Sequence, residues 1–87
     1  MKFNVTWRAT AEAELAHIWL GAANRNAVTK AAFEVDSCLE RDPIQTGESR
    51  VDNLRVVIVA PLVVYFIVYE DEARVDVTHV RACAPRT

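Results

Sequence analysis

Apolar and polar residues alternate at the start of the chain. Over residues 2–8 one set of alternate side chains is apolar, namely Phe3, Val5 and Trp7. A period of two is typical of a strand that buries one face. The pattern predicts a half-buried first strand.

Apolar residues then recur at helical spacing in two successive segments. In the first segment Thr10 is the predicted N-cap, and the apolar stripe consists of Ala11, Leu15, Ile18, Trp19 and Ala22. The second segment begins at Asn24-Arg25-Asn26, where either Asn is a candidate cap, and ends at Asp42-Pro43. A short turn between two such helices predicts an antiparallel hairpin. Trp7, Trp19 and Phe33 are interpreted as packing residues.

The remainder of the chain is typical of a sheet. Residues 44–49 are polar around Gly47 and are predicted to form a loop. Residues 53–60, 62–69 and 74–81 are rich in Val, Ile and Tyr, and turns are predicted at Ala60-Pro61 and at residues 70–72. The residues after Arg81 are predicted to form a tail.

The order of these elements predicts the fold class. We expect an α+β domain over residues 1–87 with the order β-α-α-β-β-β. The helical hairpin is expected to pack on one face of an antiparallel sheet, with the first strand at an edge.

The middle strand of the predicted meander is apolar on both sides. Leu62, Val64, Phe66 and Val68 point to one side, and Val63, Tyr65, Ile67 and Tyr69 point to the other. A single helical layer covers only one side of a sheet, so the second set is expected to form an exposed patch that binds a partner. The alternative is that sheet curvature and long Arg side chains shield the patch.

Composition and charge narrow the class of protein. The chain has 87 residues, 52% of them apolar, and a net charge of -2, which favours one folded domain over disorder. The sequence pI near 5.6 argues against gripping nucleic acid by charge alone. Neither a metal-ligand cluster nor a Gly-rich phosphate loop is recognisable, so no metal or cofactor is expected.

The sequence shows no recognisable targeting signal, which predicts a location inside the cell. The first ten residues lack the apolar core of a signal peptide, and no apolar run is long enough for a membrane helix. The two cysteines, Cys38 and Cys83, are interpreted as reduced thiols. We therefore predict a cytoplasmic protein that has no membrane partner.

Several short motifs occur in a characteristic order. They are Val5-x-Trp7, Ala11-x-Ala13-Glu14-Leu15-x-x-Ile18-Trp19, Asp42-Pro43, Gly47-Glu48-Ser49-Arg50, Leu54-Arg55, Pro61-Leu62-Val63-Val64-x-Phe66 and Val77-x-His79-x-Arg81. In this order and spacing the chain resembles the RelE/ParE toxin superfamily over nearly its whole length.

The resemblance implies a toxin of a type II toxin-antitoxin module, neutralised by a cognate antitoxin, as a homodimer or a toxin-antitoxin hetero-oligomer. RelE-like members cut mRNA on the ribosome, whereas ParE-like members inhibit DNA gyrase. RelE-like nucleases carry an Arg near the start of the middle strand, where this chain has Leu62-Val63-Val64. Because cleavage needs a fixed cation at the phosphate, we expect the ParE-like function. A homologue that only binds antitoxin is a further alternative.

The resemblance also suggests which residues would act. In a metal-independent endoribonuclease, His79 would be the general acid or base and Arg81 a phosphate ligand. His79 is predicted to share its face with Val75 and Val77. The structural alternatives are a histidine hydrogen-bonded at the sheet margin and an Arg81 paired with Asp76 or an acidic residue of the 70–72 turn.

The other candidates are residues of the sheet. Arg50 and Arg55, with Arg81, are candidates for binding the target or phosphate; alternatively, Arg55 pairs with Asp52, Glu48 or a helix acid. The residues predicted to bind antitoxin are Val63, Tyr65, Ile67 and Tyr69. The two tyrosines could stack a base, but their strand positions favour packing.

Overall fold

The computed structural model describes residues 2–51 and 53–83, without the side chains of Arg50 and Val51. Its elements are β1 (Asn4–Trp7), α1 (Ala9–Gly21), α2 (Arg25–Arg41), β2 (Glu48–Val51), β3 (Leu54–Val59), β4 (Leu62–Tyr69), a 3-10 turn (Glu70–Glu72) and β5 (Arg74–Ala82). Most of the predicted tail lies outside the described residues.

The strands form one five-stranded sheet in the order β1-β5-β4-β3-β2. β1 lies at an edge, as predicted, and runs parallel to β5, whereas the other pairs are antiparallel. The α+β class is therefore confirmed. The prediction of an antiparallel sheet is wrong for the β1-β5 pair. The helical hairpin returns the chain to the end of the sheet where β1 begins, because the Phe3 N–H donates to the Glu40 carbonyl near the end of α2 at 2.9 Å. β3 therefore runs in the same direction as β1, and so does β5, two antiparallel connections later.

The predicted loop at residues 44–49 contains the start of an additional strand, β2. Glu48 pairs with Val56 and Ser49 with Arg55. Gly47 makes this possible: its φ is 77°, and a Cβ there would lie 2.2 Å from the Val56 carbonyl oxygen. A short polar strand at a sheet edge lacks hydrophobic alternation, so the sequence pattern does not predict it.

The core lies between the helices and one side of the sheet. Leu62, Val64 and Phe66 of β4 are fully buried against it, which confirms the predicted division of β4 into two sides. The remaining core residues come from both helices and β5: Ala11, Val28, Ala31, Val35, Leu39, Val75, Val77 and Val80.

The packing prediction for the aromatic residues holds for only one of the three. Trp7 packs against the core. Trp19 is 38% exposed and Phe33 is 75% exposed, and neither packs with the core, so for these two residues the prediction is wrong. Phe33 belongs to a stripe of α2 displaced from the buried one, and helical spacing alone did not separate the two stripes.

The start of α1 differs from expectation, whereas the start of α2 agrees with it. α1 begins at Ala9, so Thr10 lies inside the helix and is not its cap; Arg8 precedes it without a capping side chain. The Arg8 N–H instead donates to the Val77 carbonyl at 3.0 Å, which continues the pairing of β1 up to the helix. Asn24 caps α2, as predicted, and accepts from the Ala27 N–H at 3.1 Å.

Candidate interaction site on the open sheet face

The side of the sheet turned away from the helices is called the open face here. Among the described residues, no second layer covers it. On β4 it presents Val63, Tyr65, Ile67 and Tyr69, all half-buried. Ile58 of β3, which pairs with Val63, is 60% exposed. The open face is therefore an apolar patch that neighbouring side chains cover only in part.

A β-bulge decides where His79 lies. Val77 pairs with Phe66 but His79 pairs with Tyr65, so Thr78 is an extra residue; its hydroxyl donates to the Tyr65 carbonyl at 3.3 Å. The bulge shifts the alternation, so that Val80 is buried and His79 is exposed on the open face. The prediction that His79 shares a face with Val75 and Val77 is therefore wrong.

Arg81 follows the same shifted alternation. It pairs with Val63 and shares the open face with His79, as predicted. Its partner is Glu14 of α1, not an acidic residue of the 70–72 turn or Asp76: its guanidinium forms a hydrogen-bonded ion pair with Glu14 Oε2.

Glu14 lies on α1, and its sequence context predicted no functional role for it. Pairing with β1 ends at Val77, so the edge of β5 beyond it is free for α1. There Glu14 Oε1 accepts from the Val80 N–H at 2.9 Å and lies 3.4 Å from His79 Nδ1. The Val80 hydrogen bond, then the bond and charge of Arg81, keep the pKa of Glu14 below its ordinary value, against the opposing effect of burial. No local sequence signal identifies such a contact, because it joins residues far apart in the chain.

A second ion-pair cluster lies toward β1. Asp76, 9% exposed, accepts from Arg8 at 3.1 Å, and Arg74 Nε lies 3.3 Å from its other oxygen. The guanidinium of Arg74 also stacks over the ring of Tyr69, 4.3 Å from its centroid. This end of the patch is thus shielded by an arginine, as one of the two sequence alternatives proposed.

Arg55 does not join these groups. It pairs with Phe66, which places it on the helix side of the sheet. There it donates to the carbonyls of Ile44 at 2.7 Å and Gly47 at 3.2 Å, and thereby holds the segment between α2 and β2. The side chain of Arg50 lies outside the described residues. The structure therefore brings His79 and Arg81 together and separates them from Arg55.

The arginines of the open face are paired with neighbouring carboxylates. Within residues 2–51 and 53–83, Arg8, Arg74 and Arg81 each have a carboxylate partner on or beside this face. The same part of the chain contains no group of three or more His, Cys, Asp or Glu side chains placed to hold a metal ion. None of its helices is both long and apolar enough for a membrane crossing.

Comparison with solved structures gives the fold a name. The chain is similar to the toxin-antitoxin complex RelBE2 of Mycobacterium tuberculosis, with TM-score 0.80 and 14% identity over 98% of this chain and 95% of that one. It is similar to the chromosomal ParDE system of P. aeruginosa, with TM-score 0.72 and 17% identity over 95% and 98% of the chains. It is also similar to the isolated RelE toxin of E. coli, with TM-score 0.67 and 15% identity over 98% and 87%.

The chain therefore has the RelE/ParE toxin fold, as its sequence motifs suggested. No family model matches the sequence, and no curated protein matches it either. At these low identities the likeness establishes the fold, and the activity has to be argued from the site.

Proposed function

We propose that the chain is the toxin of a type II toxin-antitoxin module. We propose further that it acts in the cytoplasm by binding and inhibiting a macromolecular target in the ParE manner, with DNA gyrase as the first candidate. The observation that carries this mechanism is the pairing of every described open-face arginine with a carboxylate.

The paired arginines argue against RNA cleavage. Attack by a 2'-hydroxyl builds negative charge on the phosphate, and that charge needs a fixed cation. Arg81 would have to leave Glu14 before it could bind a phosphate, and the carboxylate left behind would repel the RNA. Leu62 and Val64, in the stretch where RelE-like nucleases carry an arginine, are buried against the helices. Inhibition by protein-protein contact requires neither free cations nor a general acid.

The antitoxin is proposed to cover the open face through Val63, Tyr65, Ile67 and Tyr69. These side chains are apolar or aromatic and half-buried, and Ile58 extends the patch. Such a patch, rimmed by charged residues, is typical of a protein-binding surface. Similar solved structures that are toxin-antitoxin complexes support an antitoxin partner.

The mechanism is tested by colony counts, by a gyrase supercoiling assay and by an mRNA cleavage assay. Expression of the chain alone in a bacterial host is expected to reduce colony number. Purified chain is expected to block gyrase supercoiling of relaxed plasmid and to leave mRNA intact in a translating extract. Rapid mRNA cleavage would overturn the mechanism, and unchanged colony number would favour the homologue that only binds antitoxin.

The nuclease alternative is kept because His79 and Arg81 share one face, beside Tyr65 and Val63. The two histidines of the chain provide a matched pair for testing it. His17 is exposed on α1 and forms no ion pair within the described residues, whereas His79 lies beside Glu14. His79→Ala and His17→Ala are expected to arrest growth equally. A loss of toxicity and of mRNA cleavage in His79→Ala alone would establish the nuclease.

The docking surface is tested with two equally exposed apolar residues. Ile58 is 60% exposed on the open face, and Leu20 is 63% exposed near the end of α1. Co-expression of the reading frame next to the gene is expected to restore colony number for the native chain and for Leu20→Glu. Rescue of Ile58→Glu is expected to be weaker, because a buried, unpaired carboxylate is costly. Equal rescue of both variants would place the antitoxin elsewhere.

A further inference from the structure

The helical hairpin carries an apolar groove that lies outside the core. Leu15 and Trp19 of α1 line one side of this groove, and Ala32 and Phe33 of α2 line the other. Phe33 is 75% exposed and Trp19 is 38% exposed, so the monomer leaves both rings in contact with water. An apolar groove with exposed aromatic rings is typical of a surface that binds another protein.

The charged side chains along this groove differ from those of the open face, because they lack ion-pair partners. Glu12 and Asp36 line the groove near the start of α1. Arg25 lies at the opposite end, where its guanidinium stacks over the Trp19 ring, 4.7 Å from the centroid. Among the side chains that the structure describes, none of these three forms an ion pair. The groove therefore has an acidic end and a cationic end that a partner can neutralise.

Hydrogen bonds within the monomer hold both ends of the groove in place. At the acidic end the Trp7 Nε1–H donates to Asp36 at 3.0 Å. At the cationic end Arg25 donates to the carbonyls of Trp19 at 3.2 Å and Leu20 at 3.1 Å. Since these side chains are already fixed, less conformational entropy is lost when a partner binds to them.

The spacing of the charges makes the groove complementary to a second copy of itself. Arg25 and Asp36 are separated by about three turns of α2, or about 16 Å, and therefore point to the same side of the helix. A two-fold axis that crosses α2 midway between them, at residues 30–31, pairs the α2 helices of two copies antiparallel. Each Arg25 then faces Asp36 of the partner subunit, so that both ends are neutralised together. A parallel pairing would place like charges against each other.

The same register brings the exposed rings together. Phe33 lies just beyond the axis, at the level of Val28 of the partner subunit. Trp19 is at nearly the same level, because its Nε1 donates to Thr29 Oγ1 at 3.2 Å. Contact with the second copy would remove from water the aromatic ring that the monomer leaves most exposed, which favours association.

We propose that the chain forms a two-fold symmetric homodimer through the groove between α1 and α2. α2 packs antiparallel on the same helix of the partner subunit, Phe33 is buried in the interface, and Arg25 faces the acidic end of the other groove. The surface involved is small, so the dimer dissociates at micromolar concentrations. The interface leaves the open face free and does not depend on the function proposed above.

Sedimentation of the purified chain over a range of concentrations tests self-association. Between about 5 and about 300 μM the average mass is expected to rise from that of the monomer towards twice that value. Phe33→Ser is expected to weaken dimerisation at least about tenfold, whereas Ile58→Ser on the open face should leave it unchanged. Circular dichroism checks that both variants are folded.

A pair of charge variants tests the antiparallel register. Arg25→Glu makes both ends of the groove acidic. Glu12→Lys combined with Asp36→Asn makes both ends cationic, and the new amide keeps an oxygen that accepts from Trp7. Each variant alone is expected to dimerise at least about tenfold more weakly than the native chain at low salt. Their equimolar mixture is expected to form heterodimers with nearly native affinity.

Three results would count against the dimer. A native chain that stays monomeric at about 300 μM overturns the proposal and leaves the groove for a different partner. Dissociation by Ile58→Ser instead of Phe33→Ser places the contact on the open face and also overturns it. Charge variants that each dimerise like the native chain, or whose mixture forms no heterodimer, contradict the antiparallel pairing of Arg25 with Asp36.

Discussion

The open face is apolar, and so is the groove between α1 and α2 that Leu15, Trp19, Ala32 and Phe33 line, called the hairpin groove. The chain covers these two surfaces differently. On the open face the apolar side chains are half-buried, and ion pairs centred on Glu14 and Asp76 border them. In the hairpin groove Phe33 stands 75% exposed and the charged lining residues are both acidic. The open face therefore stabilises the monomer, whereas the groove's exposed ring contributes little to the stability of the monomer.

The largest difference in unfolding free energy is expected between substitutions of a carboxylate on each surface. Asp76→Ala removes the nearly buried carboxylate that Arg8 and Arg74 share, and leaves both guanidinium groups without this partner. The substitution should therefore lower the free energy of unfolding by about 2–3 kcal/mol. Asp36→Ala removes one hydrogen bond from the Trp7 indole and should cost about 1 kcal/mol. Urea denaturation followed by circular dichroism measures both values. Equal losses would remove the distinction between the surfaces.

A smaller, pH-dependent effect is expected at Glu14, because its partners Arg81 and His79 are about half exposed. The pKa of Glu14 is lowered in the folded chain, so its contacts stabilise the fold above the ordinary value of 4.5 and lose this contribution as the pH falls through the lowered value. The native chain should therefore lose more stability than Glu14→Gln between pH 5 and the acid range below 4.5, as judged from denaturation midpoints at each pH. Parallel losses in the two proteins would mean that Glu14 carries no such linkage.

The smallest effect is expected for exposed apolar residues. Phe33→Ser and Ile58→Ser should each change the free energy of unfolding by about 0.5 kcal/mol or less, because neither side chain is buried in the monomer. A loss of about 2 kcal/mol in Phe33→Ser would show that the ring packs within the monomer and that the groove is part of the core. Thermal denaturation of the two variants side by side, at a concentration where the chain is monomeric, provides the measurement.

Much of the fold follows from local pattern. Alternation over residues 2–8, helical spacing in two segments and β-branched runs after Leu54 predicted β1, α1, α2 and the β3-β4-β5 meander. The two-sided apolar character of β4 predicted which residues face the helices, and Phe66 and Tyr65 lie on the sides expected. Short polar β2 escaped prediction because an edge strand is defined by its neighbour's hydrogen bonds and not by its own side chains.

Sequence by itself determined the helices and the strands other than β2, the apolar division of β4 and the likeness to the RelE/ParE toxins, since these depend on spacing within short segments. Only the tertiary structure decided that Thr78 bulges and moves His79 to the open face, that Glu14 reaches Val80 and Arg81, and that Phe33 lies outside the core. The physical reason is the same in each case. Register, ion pairing and burial depend on partners far apart in the chain, and a local pattern contains no information about them.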